Sequence, residues 1–143
     1  MNNFNKLTVV AAAAMLVACG GGDDNDGRGA LLETPVSLTT LTAAQIDAST
    51  LSSGLQPIAG KAKCDVRVVS LNYATIGVQN EAANSSGVLL VPTGSCANSS
   101  YPLVAYAKGT DVQKPRTLAN PADGETFLLA AMYAAQGYAV VAT

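Results

Sequence analysis

In the second half of the chain, short apolar segments alternate with polar ones, as in a sheet joined by a crossover helix. Residues 101–107 form an apolar segment, 111–121 a polar one, 127–135 a longer apolar one and 139–142 a last short one. Strand, helix and strand in this order predict a β-α-β unit with a right-handed crossover. Both strands have few polar residues, which predicts burial on both faces, and the helix is apolar nearly all round, which predicts deep packing.

Two starting points are open for the crossover helix. Asn120 suits an N-cap with Pro121 at the first helical position, while Asp123 and Gly124 offer a second start a few residues later. Gly137 is a natural residue to end the helix, because glycine adopts the left-handed conformation without strain.

A β-hairpin is predicted before this unit. Residues 64–79 are rich in β-branched and aromatic side chains, 80–86 form a polar turn, and 87–92 form a second apolar strand. The apolar alternation slips by one residue between Val68 and Val69, which predicts a bulge or a twist.

A short helix is predicted before the hairpin. Thr42 and Gln45 have the spacing of a capping box, in which a hydroxyl caps the first turn and a side chain three residues on reaches back. The helix is expected over about 43–51, and Gly54 and Pro57 end it.

Two cysteines are expected at the same end of the hairpin. Cys64 precedes the first strand and Cys96 follows the second, and in an antiparallel pair these positions are neighbours. If the chain is exported past the inner membrane, as its first residues predict, the two thiols would meet an oxidising environment. This favours a disulfide over two buried free thiols. Two cysteines without histidine are a poor metal site.

The first residues have the order of a bacterial export signal. Lys6 precedes an apolar run, residues 7–17, that is too short for a bilayer span but has the length of a signal-peptide core. The run ends in Leu-Val-Ala and Cys19, which resembles the lipobox of bacterial lipoproteins. The resemblance implies cleavage before Cys19 and its lipidation; an ordinary signal peptide or a short buried helix are the alternatives.

A glycine- and aspartate-rich segment follows the cysteine and cannot bury enough apolar surface to order itself. The predicted organisation is therefore a lipoprotein signal peptide over 1–18, a flexible tether over 19–29 and a domain fragment over 30–143. Gly20, rather than Asp, follows the cysteine. By resemblance to bacterial sorting behaviour, this predicts a lipid-anchored protein of the cell envelope, on the outer membrane.

Composition excludes several kinds of function. The chain has eight Lys and Arg residues without a basic cluster and a net charge of −2, which argues against nucleic acid as a partner. It has no histidine, so it can supply no histidine base and no histidine metal ligand. No metal and no cofactor is expected.

The second half of the chain resembles the N-terminal third of bacterial secreted lipases and esterases of the α/β-hydrolase superfamily. The resemblance lies in the segments GVLLVPTG, YPLVAYAKGT and AAQGYAVVAT and covers roughly residues 64–143. It implies an α/β fold with an incomplete α/β-hydrolase-like sheet, in which an N-terminal β-hairpin is followed by the βαβ unit. The implied substrate is a lipid or a small ester.

The resemblance also implies a role for the loop after residue 107. In many members a His-Gly pair follows the corresponding strand, and its neighbourhood supplies a backbone N–H to the oxyanion hole. Lys108 replaces the histidine, so the candidates are the backbone groups of Gly109 and Thr110, with Thr110 the preferred donor. A plain tight turn is the alternative.

No catalytic residue is assigned to this chain. It contains no G-x-S-x-G motif, and in this superfamily the nucleophile, the acid and the histidine follow the strand at residues 139–142. Two functions remain open. One is the N-terminal fragment of a lipid-anchored serine esterase or lipase, inactive by itself; the other is a non-enzymatic envelope lipoprotein, complete at Thr143, with a binding or structural role.

Overall fold

The structure is a computed structural model that describes residues 27–110 and 116–143. Five strands form one mixed sheet in the order β1-β2-β3-β5-β4, in which β4 and β5 are parallel and the other neighbours are antiparallel. The signal peptide, Cys19 and most of the predicted tether lie outside the described residues. The elements are β1 (Val36–Leu41), α1 (Ala43–Ser52), α2 (Gln56–Ala59), β2 (Asp65–Ile76), β3 (Ala82–Thr93), β4 (Leu103–Tyr106), α3 (Gly124–Met132) and β5 (Ala139–Ala142).

The predicted hairpin is present, and its strands are long. β2 and β3 pair without interruption from Asp65 opposite Thr93 to Ile76 opposite Ala82. Residues 82–86, predicted as part of the turn, belong to β3. Their polar side chains fit because this end of the ribbon extends past β5 and stays in contact with water.

β1 is a strand that the sequence pattern did not predict. It pairs with β2 at the edge of the sheet. Four of its six residues are exposed, so buried and exposed positions do not alternate along it. Its register shifts between Ser37, which faces Val69, and Thr39, which faces Val68. The irregularity therefore lies where the alternation of β2 slips, but the extra residue, Leu38, belongs to β1.

α1 begins with the predicted capping box. The backbone N–H of Gln45 donates to Thr42 Oγ1 at 3.2 Å, and the N–H of Thr42 donates to Gln45 Oε1 at 2.9 Å. The N–H of Ala43 donates to Asp65 Oδ1 at 2.8 Å, which attaches the start of α1 to the start of β2. Ile46, 1% exposed, anchors the helix in the core.

α3 begins at the later of its two predicted starts. Asp123 is the N-cap, and the earlier start at Asn120 and Pro121 is wrong. The side chain of Asn120 accepts from the N–H of Ala122 at 3.0 Å and so closes a turn before the helix. A single 3-10 turn follows α3, and Gly137, with φ of 101°, ends it as predicted.

One hydrophobic core lies between the helices and one face of the sheet. The predicted burial of β4 on both faces is not found in the described sheet, in which β4 is an edge strand and Leu103 is 67% exposed. The predicted deep packing of the helix is also only half correct, since Leu128 is 38% and Met132 37% exposed. The sheet contributes Val66, Val68, Val88, Leu90, Val140 and Ala142, and the helical segments contribute Ile46, Ala59, Leu129, Ala130, Ala131, Ala134 and Ala135.

A disulfide joins Cys64 and Cys96, with 5.4 Å between their Cα atoms, which confirms the predicted pairing. Cys64 is completely buried, and its N–H donates to the carbonyl of Ala135 at 3.1 Å. The bridge thus lies where the hairpin ends meet the turn after α3. Among the helices of the described ranges, none has the length and hydrophobicity to cross a membrane.

Candidate functional site

The ends of β4 and β5 form the edge of the sheet where the candidate site lies. The strands are parallel, with Tyr106 opposite Ala142, so both carboxyl ends open on the same side. The N–H of Thr143 donates to the carbonyl of Tyr106 at 3.2 Å, and the N–H of Lys108 donates to the carbonyl of Thr143 at 3.1 Å. The chain therefore stays paired through Lys108, and the loop that follows leaves the sheet at Gly109.

The two predicted oxyanion-loop residues are accessible. Gly109 and Thr110 are exposed, and apart from the neighbours of Gly109 in the chain no atom of the described residues lies within 4 Å of where a Cβ on Gly109 would be. Within residues 27–110 and 116–143, no hydrogen bond engages the backbone N–H of either residue. The geometry leaves these donors available to a ligand, while their role in a reaction stays a prediction.

A shallow cleft of about 270 Å³ adjoins this loop. The hydroxyls of Ser86 and Thr117 face each other across it, with 3.4 Å between Oγ and Oγ1. The cleft thus combines the first half of β3 with the loop after β4 and the segment before α3. Its lining consists of Ser85, Ser86, Lys108, Gly109, Arg116, Thr117, Leu118 and Thr143.

A charged network holds the segment that borders the cleft. Arg116 Nε donates to Asp123 Oδ2 at 2.9 Å, and its Nη2 donates to Glu125 Oε2 at 2.6 Å. The other oxygen of Glu125 accepts a hydrogen bond from the hydroxyl of Tyr106. The network therefore connects the last residue of β4, the segment at 116 and the first turn of α3.

Asp123 serves the helix and the network together. Its Oδ1 accepts from the N–H of Glu125 at 2.9 Å and from the N–H of Thr126 at 3.2 Å, groups that would otherwise lack a partner in the helix. The hydrogen bond from Arg116 is the main reason why the pKa of Asp123 lies below its ordinary value; the two N–H groups act in the same direction.

The pair Tyr106 and Glu125 has pKa values displaced in opposite directions. The Tyr106 hydroxyl donates to the Glu125 carboxylate, and this bond, the largest cause for both groups, raises the pKa of Tyr106 and lowers that of Glu125. Arg116 lowers the pKa of Glu125 further. The raised pKa keeps the phenol of Tyr106 protonated, and the lowered pKa makes the carboxylate of Glu125 a weaker base, so neither is prepared as a general base.

Below the cleft, a buried side chain fixes Leu118. Thr126 is 1% exposed, and its hydroxyl donates to the carbonyl of Leu118 at 2.7 Å. Leu118 is itself buried in the hydrophobic core. The segment after residue 116 therefore has a defined path along α3, rather than lying loosely over it.

Sequence reasoning missed Arg116, Tyr106 and Glu125 as a connected group. A local signal was available in part, since an arginine precedes two acidic residues at the start of a helix. The contribution of Tyr106 required knowledge that β4 ends beside α3. In the part of the chain that the structure describes, no group of three or more Cys, Asp or Glu side chains is placed to hold a metal ion.

The described sheet is part of an α/β-hydrolase-like fold. No protein-family model and no curated protein matches the chain. Among solved structures, it is similar to the rice cell wall degrading esterase LipA from Xanthomonas oryzae, with 38% identity and a TM-score of 0.67 over 80% of this chain and 28% of that chain. A ligand-bound form of that esterase matches at 37% identity and a TM-score of 0.65, over 80% and 29% of the two chains.

A hydrolase candidate from Legionella pneumophila has a TM-score of 0.64 at 16% identity, over 77% of this chain and 29% of that chain. At this identity the likeness concerns the fold alone. The chain spans less than a third of the length of each of these proteins. The similarity to the Xanthomonas oryzae esterase supports a bacterial esterase or hydrolase fragment.

Proposed function

We propose that this chain is the N-terminal part of a carboxylic ester hydrolase that acts through a serine acyl-enzyme. The observation that supports the proposal most is 38% identity, over 80% of the chain, to a protein described as a cell wall degrading esterase. The nucleophile, the acid and the histidine would lie beyond residue 143, because the chain contains neither a G-x-S-x-G motif nor a histidine and these residues follow the last strand in the superfamily that it resembles.

In this mechanism the described residues bind and stabilise rather than attack. A serine Oγ adds to the ester carbonyl, its proton passes to the histidine, and the carbonyl oxygen becomes an oxyanion. The N–H of Thr110, or that of Gly109, would donate to this oxyanion. The loss of one such donor costs about 3–4 kcal/mol of transition-state stabilisation in related sites.

The network around Arg116 supports this role by holding both ends of the loop. Tyr106, just before the loop, is attached to Glu125, and Arg116, just after it, is attached to Asp123 and Glu125. A donor that is already in place when charge develops on the substrate needs no reorganisation during the reaction. The first turn of α3 would therefore set where the loop donors lie.

We also propose that the protein is exported and anchored by lipid on Cys19, and that the membrane that holds it is the outer membrane. The support is the order of Lys6, the apolar run 7–17 and the small residues before Cys19. The disulfide between Cys64 and Cys96 fits an oxidising compartment. More than one acyl chain would give stable anchoring, which a single chain does not.

The test uses the chain together with the coding sequence that follows residue 143. We expect the extended protein to hydrolyse a p-nitrophenyl ester and to react with a fluorophosphonate at one serine, whereas residues 1–143 alone do neither. Thr110→Pro removes the backbone donor, and kcat should fall by about 10²–10³-fold. Thr110→Ala keeps the N–H and serves as the matched control.

Hydrolysis by the 143-residue chain alone would contradict the assignment of the triad. A stop codon directly after Thr143 would favour the non-enzymatic envelope lipoprotein. An equal loss of kcat in Thr110→Pro and Thr110→Ala would show that the side chain matters, and would contradict the backbone donor.

A further inference from the structure

One end of the β2–β3 hairpin extends past the rest of the sheet. β5 pairs with β3 between Val88 and Leu90, so residues 82–87 of β3 extend beyond it. The turn that joins the strands carries Val78, whose side chain is 100% exposed. Beside it, Leu32, 53% exposed, and Ile76 line a shallow depression. We call Leu31, Leu32, Ile76 and Val78 the hairpin-end surface.

The chain enters the fold at this same surface. The N–H of Gly29 donates to the carbonyl of Ala74 at 2.8 Å, and Leu31 bridges to Tyr73. The end of the predicted tether is therefore paired with β2 close to the turn. Cys19 precedes Gly27, the first described residue, by eight positions, and eight residues span at most about 28 Å.

The opposite end of the domain lies beyond the practical reach of such a tether. The turn at 135–136 contacts both α2 and the start of β2. Gln136 Nε2 donates to the carbonyl of Ala59 in α2 at 3.0 Å, and the N–H of Cys64, just before β2, donates to the carbonyl of Ala135. α2 therefore lies level with the start of β2. The nine residue steps of β2 between that end and Ala74 cover about 30 Å. Contact of α2 with the anchoring membrane would require a completely straight tether.

We propose that the hairpin-end surface lies against the phospholipid bilayer that holds the acylated Cys19. The inference rests on the lipid anchoring proposed above. The exposed apolar side chains there are Leu31, Leu32 and Val78, beside the exposed polar residues Gln79, Asn80 and Glu81 of the turn, and the chain has no basic cluster to bind anionic headgroups. Bilayer contact would remove from water the apolar surface that the fold leaves exposed beside the tether.

The orientation has a consequence for the cleft. β2 is antiparallel to β3, β3 is antiparallel to β5, and β5 is parallel to β4, so β2, β4 and β5 all point toward the hairpin end. The cleft at Lys108 and Gly109 therefore opens on the side of the domain that faces the membrane. An ester held in or near the bilayer would approach the loop donors from that side.

The absence of tryptophan from the sequence allows a direct test of this orientation. Val78→Trp places one indole on the hairpin-end surface, and Ile58→Trp places one on α2, at a side chain that is 73% exposed. Each variant of this chain, acylated at Cys19, is reconstituted in phosphatidylcholine vesicles, with and without brominated phosphatidylcholine. Mass spectrometry establishes the acylation of Cys19.

We expect brominated lipid to remove most of the fluorescence of Val78→Trp and to leave that of Ile58→Trp unchanged. Since both positions are exposed, neither indole should disturb the fold. Any intrinsic affinity of indole for the membrane–water interface would act on both variants and therefore could not produce a difference between them. Equal quenching of the two variants overturns the orientation. Absence of quenching in an acylated chain overturns the contact but leaves the anchor, whereas absence of the acyl groups overturns the anchor and the contact together.

Discussion

Removal of the Cys64–Cys96 disulfide should lower the free energy of unfolding by an amount that the closed loop determines. The cysteines are 32 positions apart, and the chain-entropy relation for a loop of that length gives about 12 cal/mol/K, or about 3.7 kcal/mol at 25 °C. With a urea m-value of about 2 kcal/mol/M, the midpoint should fall by about 2 M.

The assay compares the chain with and without reductant, and with Cys64→Ala/Cys96→Ala, by circular dichroism in urea. Reduction keeps both sulfur atoms, so the reduced chain reports the loss of the cross-link without the cavity that Cys64→Ala leaves at a completely buried position. Cys19→Ala is the matched control: it removes a cysteine without touching the bridge. The double variant should not respond to reductant.

A change below 1 kcal/mol on reduction would refute the reasoning. The chain-entropy relation assumes that, without the cross-link, the two cysteines move independently in the unfolded chain. The 12-residue pairing of β2 and β3 lies inside this loop, so residual hairpin structure would confine the ends and remove the effect.

Three further predictions concern capping, charge and packing. Asp123→Ala should lower the free energy of unfolding by about 1 kcal/mol in a urea titration, whereas Asp123→Asn keeps a capping oxygen and should cost less. Because the pKa values of Asp123 and Glu125 are lowered, their stabilisation is complete above about pH 5 and is lost as pH falls through the folded values. Arg116→Met should flatten that fall in thermal melts from pH 6 to pH 2. Ile46→Ala should cost about 2–5 kcal/mol, against almost nothing for the exposed Ile58→Ala. Equal costs at the two isoleucines, or an unchanged pH profile in Arg116→Met, would contradict these assignments.

The sequence was sufficient where the determining chemistry is local. The capping box of α1 and the glycine at 137 each depend on a few adjacent residues, and the hairpin was visible as two β-rich segments on either side of a polar turn. The choice between Asn120 and Asp123 as the N-cap of α3 required the structure. The position of the loop at Gly109 and Thr110 followed from the end of the apolar segment at residue 107, and its candidate role from the resemblance to secreted lipases and esterases. Its availability to a ligand required the structure.

The failures concern burial and contacts between distant segments. β1 lies at a sheet edge, where Val36 and Leu38 are exposed along with Ser37 and Thr40, so its burial does not follow the alternation by which strands are recognised. The composition of β4 is that of a central strand, yet in the described sheet it lies at the edge, with Leu103 in contact with water. Hydrophobicity specifies that a side chain prefers burial, and only the arrangement of the elements determines whether burial is achieved.

The network at the cleft shows how distant segments can fix one loop. Tyr106 and Arg116 are ten positions apart, and both bind Glu125 in the first turn of α3. Asp123 adds a second bond to Arg116 while it caps the same turn, so the helix start and the loop ends share one set of carboxylates. A change in the first turn of α3 should therefore move Tyr106 and Arg116 together, the residues on either side of the loop that carries Gly109 and Thr110.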